Sequence, residues 1–175
     1  VDQEGLLPRG RLACKINGYE IQVTELMFAG VLDEMDMHQL AATFTALVHE
    51  ERRRDSAPGS ERNVLGSLSQ DIEKSIGRFV NLELRAGFEQ PIKQPSYAIA
   101  AATDAWSRGA SVEKVEYLAG QDGGDFVRTM RMAVQMMRQL RSALGRDYAL
   151  YNRLGEAGVS INRDVVDAKR QFELG

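Results

Sequence analysis

The stretch Phe126-Val127-Arg128-Thr129-Met130-Arg131-Met132-Ala133-Val134-Gln135-Met136-Met137-Arg138-Gln139-Leu140-Arg141-Ser142-Ala143-Leu144 decides the class of fold. Placed at about 100° per residue, Phe126, Val127, Met130, Ala133, Val134, Met137, Leu140 and Leu144 gather on one arc of a helix. The other arc holds Arg128, Arg131, Gln135, Arg138, Gln139 and Ser142, with no carboxylate after the first turn. A polar stripe opposite an apolar one is ordinarily a solvated helix face. A row of cations and amides is also what tracks phosphates and bases. Met132 stands on the polar arc, where an unbranched apolar side chain gains nothing from water, so it either packs against another domain or meets a base.

The same period extends outward in both directions. Leu12 and Ile16, then Leu26, Phe28, Val31 and Leu32, fit two short helices broken at Gly18 and Gly30. Asp36 reads as an N-cap with Gln39 as its capping-box partner, opening a third helix that reaches about Glu51. Arg52 to Ser60, with Pro58-Gly59, is expected as a mobile loop, and Val64 to Leu84 as one long amphipathic helix. Beyond Pro91 and Pro95, Tyr97 to Arg108 predicts a helix closed by Gly109, and Ser111 caps another that ends near Leu118. Last come Asp147 to Leu154 and Ile161 to Leu174. Only Ile21 to Val23 alternates like a strand, and it is too short to make one. The expectation is an all-α, single-domain helical bundle of about seven to nine helices, with one long helix among them.

Composition narrows the function. Hydrophobic residues make up 43% and charged residues 27% of the 175, the balance of a folded globular domain. The net charge of −3 provides no global positive field, so any nucleic-acid contact must come from a local face. A single cysteine, Cys14, cannot form an internal disulfide; a reducing, intracellular (cytoplasmic) setting is expected, with Cys14 as a small buried hydrophobe. The longest mainly apolar stretch, near Tyr97 to Trp106, is about half of the ~20 residues a bilayer requires, so no membrane partner is expected.

Three strings imitate catalytic motifs. Asp33-Glu34-Met35-Asp36 spells D-E-x-D, but that chemistry needs a strand end facing a Gly-rich phosphate loop, which the sequence lacks. His49-Glu50-Glu51 begins like H-E-x-x-H, yet its fifth position is Arg53, and His38 and His49 read as ordinary surface or core histidines. Arg52 to Arg54 is flanked by Glu50, Glu51 and Asp55, which cancel most of its field. No nucleophile, metal set or phosphate cradle stands out, and no catalytic residue, cofactor or metal is assigned to this chain.

Read together, Arg9 to Asn17 (RGRLACKIN) and Val23 to Val31 (VTELMFAGV) resemble the opening of the DSHCT domain, the C-terminal helical domain of superkiller and exosome-associated DExH-box helicases. The resemblance continues at Ala105-Trp106-Ser107-Arg108-Gly109-Ala110-Ser111, at Gly124-Asp125-Phe126-Val127-Arg128 and at Asn162-Arg163-Asp164-Val165-Val166. It implies residues 9–175 as the helical bundle and 1–8 as a linker from upstream helicase domains. It further implies a RecA-like motor core in cis that holds ATP and Mg, single-stranded RNA (or DNA) as partner, and a monomer. Phe126 to Leu144 would be the ratchet helix lining the strand channel during 3′ to 5′ translocation. The family's base-contacting charged pair falls on Met132 and Gln135, neither of which is charged, while Arg128, Arg131 and Arg138 remain for phosphates. The competing expectation is a protein-interaction domain without nucleic-acid contact, its soft surface made by Met130, Met132, Met136 and Met137.

Overall fold

The computed structural model describes residues 5–50, 60–120 and 123–167. Among them the chain is all-α, with nine helices and no strand. They are α1 (Pro8–Ala13), α2 (Glu20–Phe28), α3 (Met37–Val48), α4 (Ser60–Leu65), α5 (Leu68–Arg85), α6 (Ala100–Ser107), α7 (Val112–Ala119), α8 (Gly123–Ala143) and α9 (Ala149–Ile161). Single turns of 3-10 helix follow α2 at Val31–Glu34 and α9 at Asp164–Val166. No described helix is long and apolar enough to cross a membrane.

The bundle is organised around α3, whose residues from Leu40 to Val48 are all buried and which packs against α6, α8 and α9. Its start is fixed by the predicted capping box: Asp36 Oδ1 accepts from the His38 and Gln39 amides at 2.8 Å each, and Gln39 Oε1 accepts from the Asp36 amide at 3.1 Å. Asp36 is therefore spent on a helix end. Asp33 and Glu34 lie on the 3-10 turn and Met35 follows it in extended conformation; the Asp33 and Met35 carbonyls accept from Arg153 Nη1 at 2.8 and 2.7 Å. Thr45 and Thr103 make the contact of α3 with α6, their hydroxyls 3.1 Å apart and fully buried. Each hydroxyl donates or accepts in turn, so neither is left as an uncompensated buried dipole.

The long helix expected from Val64 to Leu84 is two helices. Gly66 takes φ +58 and ends α4, and Ser69 Oγ donates to the Gly66 carbonyl at 2.9 Å as α5 begins. The apolar period runs through the break because Leu65, Ile72 and Ile76 bury into the same core on either side of it. Farther along α5, Leu82 and Leu84 are exposed, as is Phe88 beyond its end.

Ile21 to Val23, too short to make a strand, lies within α2. Two further expectations change. Cys14 is exposed: it is the C-cap of α1, and Leu12 and Ile16 on either side of it take the core positions. Among the described residues one continuous α9 runs through the expected boundary between Leu154 and Ile161, closed at Asn162 and followed by Asp164 at φ +47. Residues 168–174 of the second expected helix, and 52–59 of the expected loop, lie outside the described residues.

Candidate nucleic-acid interface

The candidate interface is the outer face of α8, and its position depends on Trp106. The indole is buried at the end of α6 and its Nε1–H donates to the Ile161 carbonyl at 2.9 Å. Phe126, at the start of α8, meets it edge to face with centroids 6.1 Å apart, and the Arg163 guanidinium lies 3.5 Å from its ring. Arg163 Nη2 also donates to the Trp106 and Ala110 carbonyls at 2.8 and 2.6 Å. Arg163 Nη1 reaches Asp164 Oδ2 at 2.6 Å. Three of the five strings that carried the resemblance thus converge on one knot, which holds the ends of α6 and α9 against the first turn of α8. Their role there is packing and carbonyl satisfaction, with no chemistry implied.

From that anchor α8 runs 21 residues. Its inner side buries Phe126, Thr129, Met130, Ala133, Val134, Met136, Met137 and Leu140. Met130, Met136 and Met137 are therefore core residues, and Met132 is partly buried against the same core. The methionines do not form an exposed soft surface. Its outer side exposes Gly124, Arg128, Gln135, Arg138 and Ser142, spaced so that they form a single stripe. From Arg128 to Ser142 the stripe covers about 21 Å at 1.5 Å per residue.

The predicted residues divide by surroundings. Arg128 is exposed, 3.9 Å from an equally exposed Glu50 carboxylate, a pair worth little in solvent. Gln135 and Arg138 are exposed along the same line. Arg131 instead folds back: its Nε and Nη2 donate to the Val166 and Val165 carbonyls at 2.9 and 3.1 Å. Met132 borders a cleft of only about 20 Å³ between α3 and α8, lined also by Val48, His49, Arg128 and Thr129. That volume admits about one water and no base. Gln139, on the flank, accepts from the Asn17 amide at 2.9 Å. The stripe is consequently bordered by the Asn17–Tyr19 corner and Glu50 on one side, and by α9 with the Val165–Val166 turn on the other.

Two bordering residues escaped the reading of the sequence. Tyr19 holds φ +57 and Lys93 Nζ lies 5.8 Å from its ring centroid. Burial raises its hydroxyl pKa above the usual 10.0, and Glu50 adds to this while Arg128 opposes it. Nothing in the isolated string Asn17-Gly18-Tyr19-Glu20 ties that tyrosine to α8. Arg141 was the legible one, standing three residues after Arg138 on the same helix; it packs its guanidinium 4.2 Å from the Tyr151 ring.

The fold and the site define an all-α helical domain that presents a carboxylate-poor, arginine-bearing helix between two rims. The chain belongs to the DSHCT (NUC185) domain family, whose model matches residues 3–169. Its relatives include DExH-box ATP-dependent RNA helicase DExH10 of Arabidopsis thaliana, 25% identical over 98% of this chain and 18% of that protein. Superkiller complex protein 2 of Homo sapiens is 27% identical over 96% of this chain and 14% of its own length. Exosome RNA helicase MTR4 of Homo sapiens is 26% identical over 91% and 16% respectively. The chain spans less than a fifth of the length of these relatives.

Proposed function

We propose that this domain serves an ATP-dependent DExH-box RNA helicase by lining its single-strand channel and guiding RNA during 3′ to 5′ translocation and unwinding. In this reading the chain contributes no catalytic group; ATP and Mg belong to RecA-like motor domains elsewhere in the parent protein. The observation that carries the proposal is the exposed stripe Arg128, Gln135, Arg138 and Ser142 on a helix whose sole carboxylate is Asp125, in a chain of net charge −3. The positive charge is local, and a local row of this length suits a strand lying along the helix. Arg128 and Arg138 meet phosphates, Gln135 supplies amide hydrogen bonds, and Met132 offers at most the edge of an apolar surface to a base. Without the charged pair of the resembled family, the domain guides the strand more than it grips it.

A second reading rests on a different face. Leu82, Leu84 and Phe88 are exposed at the far end of α5, an apolar group suited to docking protein. Salt separates the two. Titration of a labelled single-stranded RNA with the wild-type chain and with R128A/R138A, at about 50 and 200 mM salt, is expected to show steep weakening for the wild type. The double variant should bind more weakly, with a slope of log K on log salt smaller by about 1.4, at about 0.7 per lost phosphate contact. Equal slopes for the two proteins would refute the stripe as a strand contact.

A further inference from the structure

Beyond the exposed stripe, α8 and α9 enclose a cleft of about 200 Å³ lined by Met137, Arg138, Arg141, Leu154, Gly155, Gly158, Val159 and Asn162. Its wall contains an unusual cation. The Arg141 guanidinium lies over the Tyr151 ring and presses close to Gly155, where even a Cβ would come within 3.1 Å of Cζ. Stacking fixes the group, yet its Nε is buried with no hydrogen-bond partner. Among the described residues no carboxylate forms an ion pair with Arg141 or Arg138, and none lines the cleft. A buried donor of a charged group without an acceptor is costly and uncommon. Here it sits one helical turn from Arg138, which also belongs to the exposed stripe. On the facing helix, two glycines remove the side chains that would otherwise fill the space.

We infer that this cleft is a phosphate-binding site for the strand, in which Arg141 and Arg138 receive one phosphodiester with Asn162 as an additional donor. The inference rests on the proposed strand-guiding function and extends it to a site off the stripe. With the buried Nε side held against Tyr151 and Gly155, Nη1 and Nη2 are the accessible donors, and a planar guanidinium fixed in this way can offer them as a two-pronged oxyanion contact. Gly155 and Gly158 let a backbone approach the wall. Arg138 shares its charge between the stripe and the cleft, so a strand following the stripe reaches the cleft at its C-terminal end. A protein carboxylate would be the competing occupant; it is less favoured because the cleft continues a row already suited to phosphates.

Two variants test this through different physics. Arg141→Gln removes the charge. Gly155→Ala keeps it but pushes the guanidinium off its seat, in a helix where alanine is otherwise the better residue. Both are measured for affinity toward a labelled single-stranded oligouridylate across a salt series, with thermal melting in parallel. Arg141→Gln is expected to weaken binding several-fold and to flatten the salt slope by about 0.7, one phosphate contact. Gly155→Ala is expected to weaken binding while its melting temperature holds or rises. Unchanged affinity and slope in both variants, alongside weakened binding in R128A/R138A, would overturn the cleft and leave the strand-guiding proposal standing. Absence of oligouridylate binding by the wild type at low salt would overturn both. If a polyglutamate peptide bound the wild type and lost its affinity in Arg141→Gln while oligouridylate binding stayed constant, the cleft would belong to a protein carboxylate and the inference would fall.

Discussion

Two hydrogen bonds set Arg131 apart from its neighbours on α8. Its Nε and Nη2 saturate the carbonyls of Val166 and Val165 and so fasten the turn after α9 to the outer helix. Arg131→Ala is therefore expected to lower stability by about 0.5–1.5 kcal/mol, the net contribution of a hydrogen bond that water can partly replace, with RNA affinity far less affected than by Arg128→Ala. Urea denaturation and RNA titration of the same preparations check the split; a large affinity loss with unchanged stability would reverse the assignment. A helical wheel places Arg128, Arg131 and Arg138 on one arc and has no means of separating them, because the acceptors of Arg131 lie 34 and 35 positions away in sequence. The same limit hid Arg163, whose value comes from a ring and two carbonyls more than fifty residues distant. Asp36 was readable because its partners, His38 and Gln39, are its immediate neighbours.

At the scale of elements, a local side-chain signal marks the start of two helices, and a left-handed glycine marks a boundary that no side-chain pattern shows. Ser111 and Asp36 cap α7 and α3 as their side-chain chemistry dictates. The division between α4 and α5 was missed because apolar periodicity reports the buried side and is blind to a single left-handed residue. Gly66 is that residue, at φ +58 with open space where a Cβ would be. Gly66→Ala should thus cost about 1 kcal/mol through backbone strain alone, lowering the urea midpoint with the slope unchanged. A neutral or stabilising result would mean that α4 and α5 can join into the continuous helix the periodicity suggests. Six of the eight residues that helical spacing places on the apolar arc of α8 are buried, and Val127 and Leu144 are partly buried against the same core; Thr129 and Met136, at the edge of that arc, are buried without being read there.

For the whole molecule, the decisive relation is between a slightly acidic chain and the basic line that α8 carries on its surface. On the proposed reading, a domain with net charge −3 attracts nucleic acid only weakly from a distance, so the stripe would work best on a strand that another part of the parent protein delivers. Weak binding by the separate domain and a strong effect in the complete enzyme are then the same statement. In the parent helicase, R128A/R138A should reduce strand separation per ATP hydrolysed, while ATPase activity at saturating RNA stays at the wild-type rate, because neither arginine belongs to the motor. The measurement is a paired unwinding and ATPase assay on wild type, R128A/R138A and a form lacking the domain. If the stripe guides the strand, the double variant moves toward the truncated form in unwinding alone. If unwinding is untouched, the arginines are a solvated helix face, and the apolar end of α5 becomes the surface through which the domain works. A fall in ATPase with unwinding per ATP unchanged would instead mean that the domain acts on the motor's turnover, leaving the path of the strand outside its control.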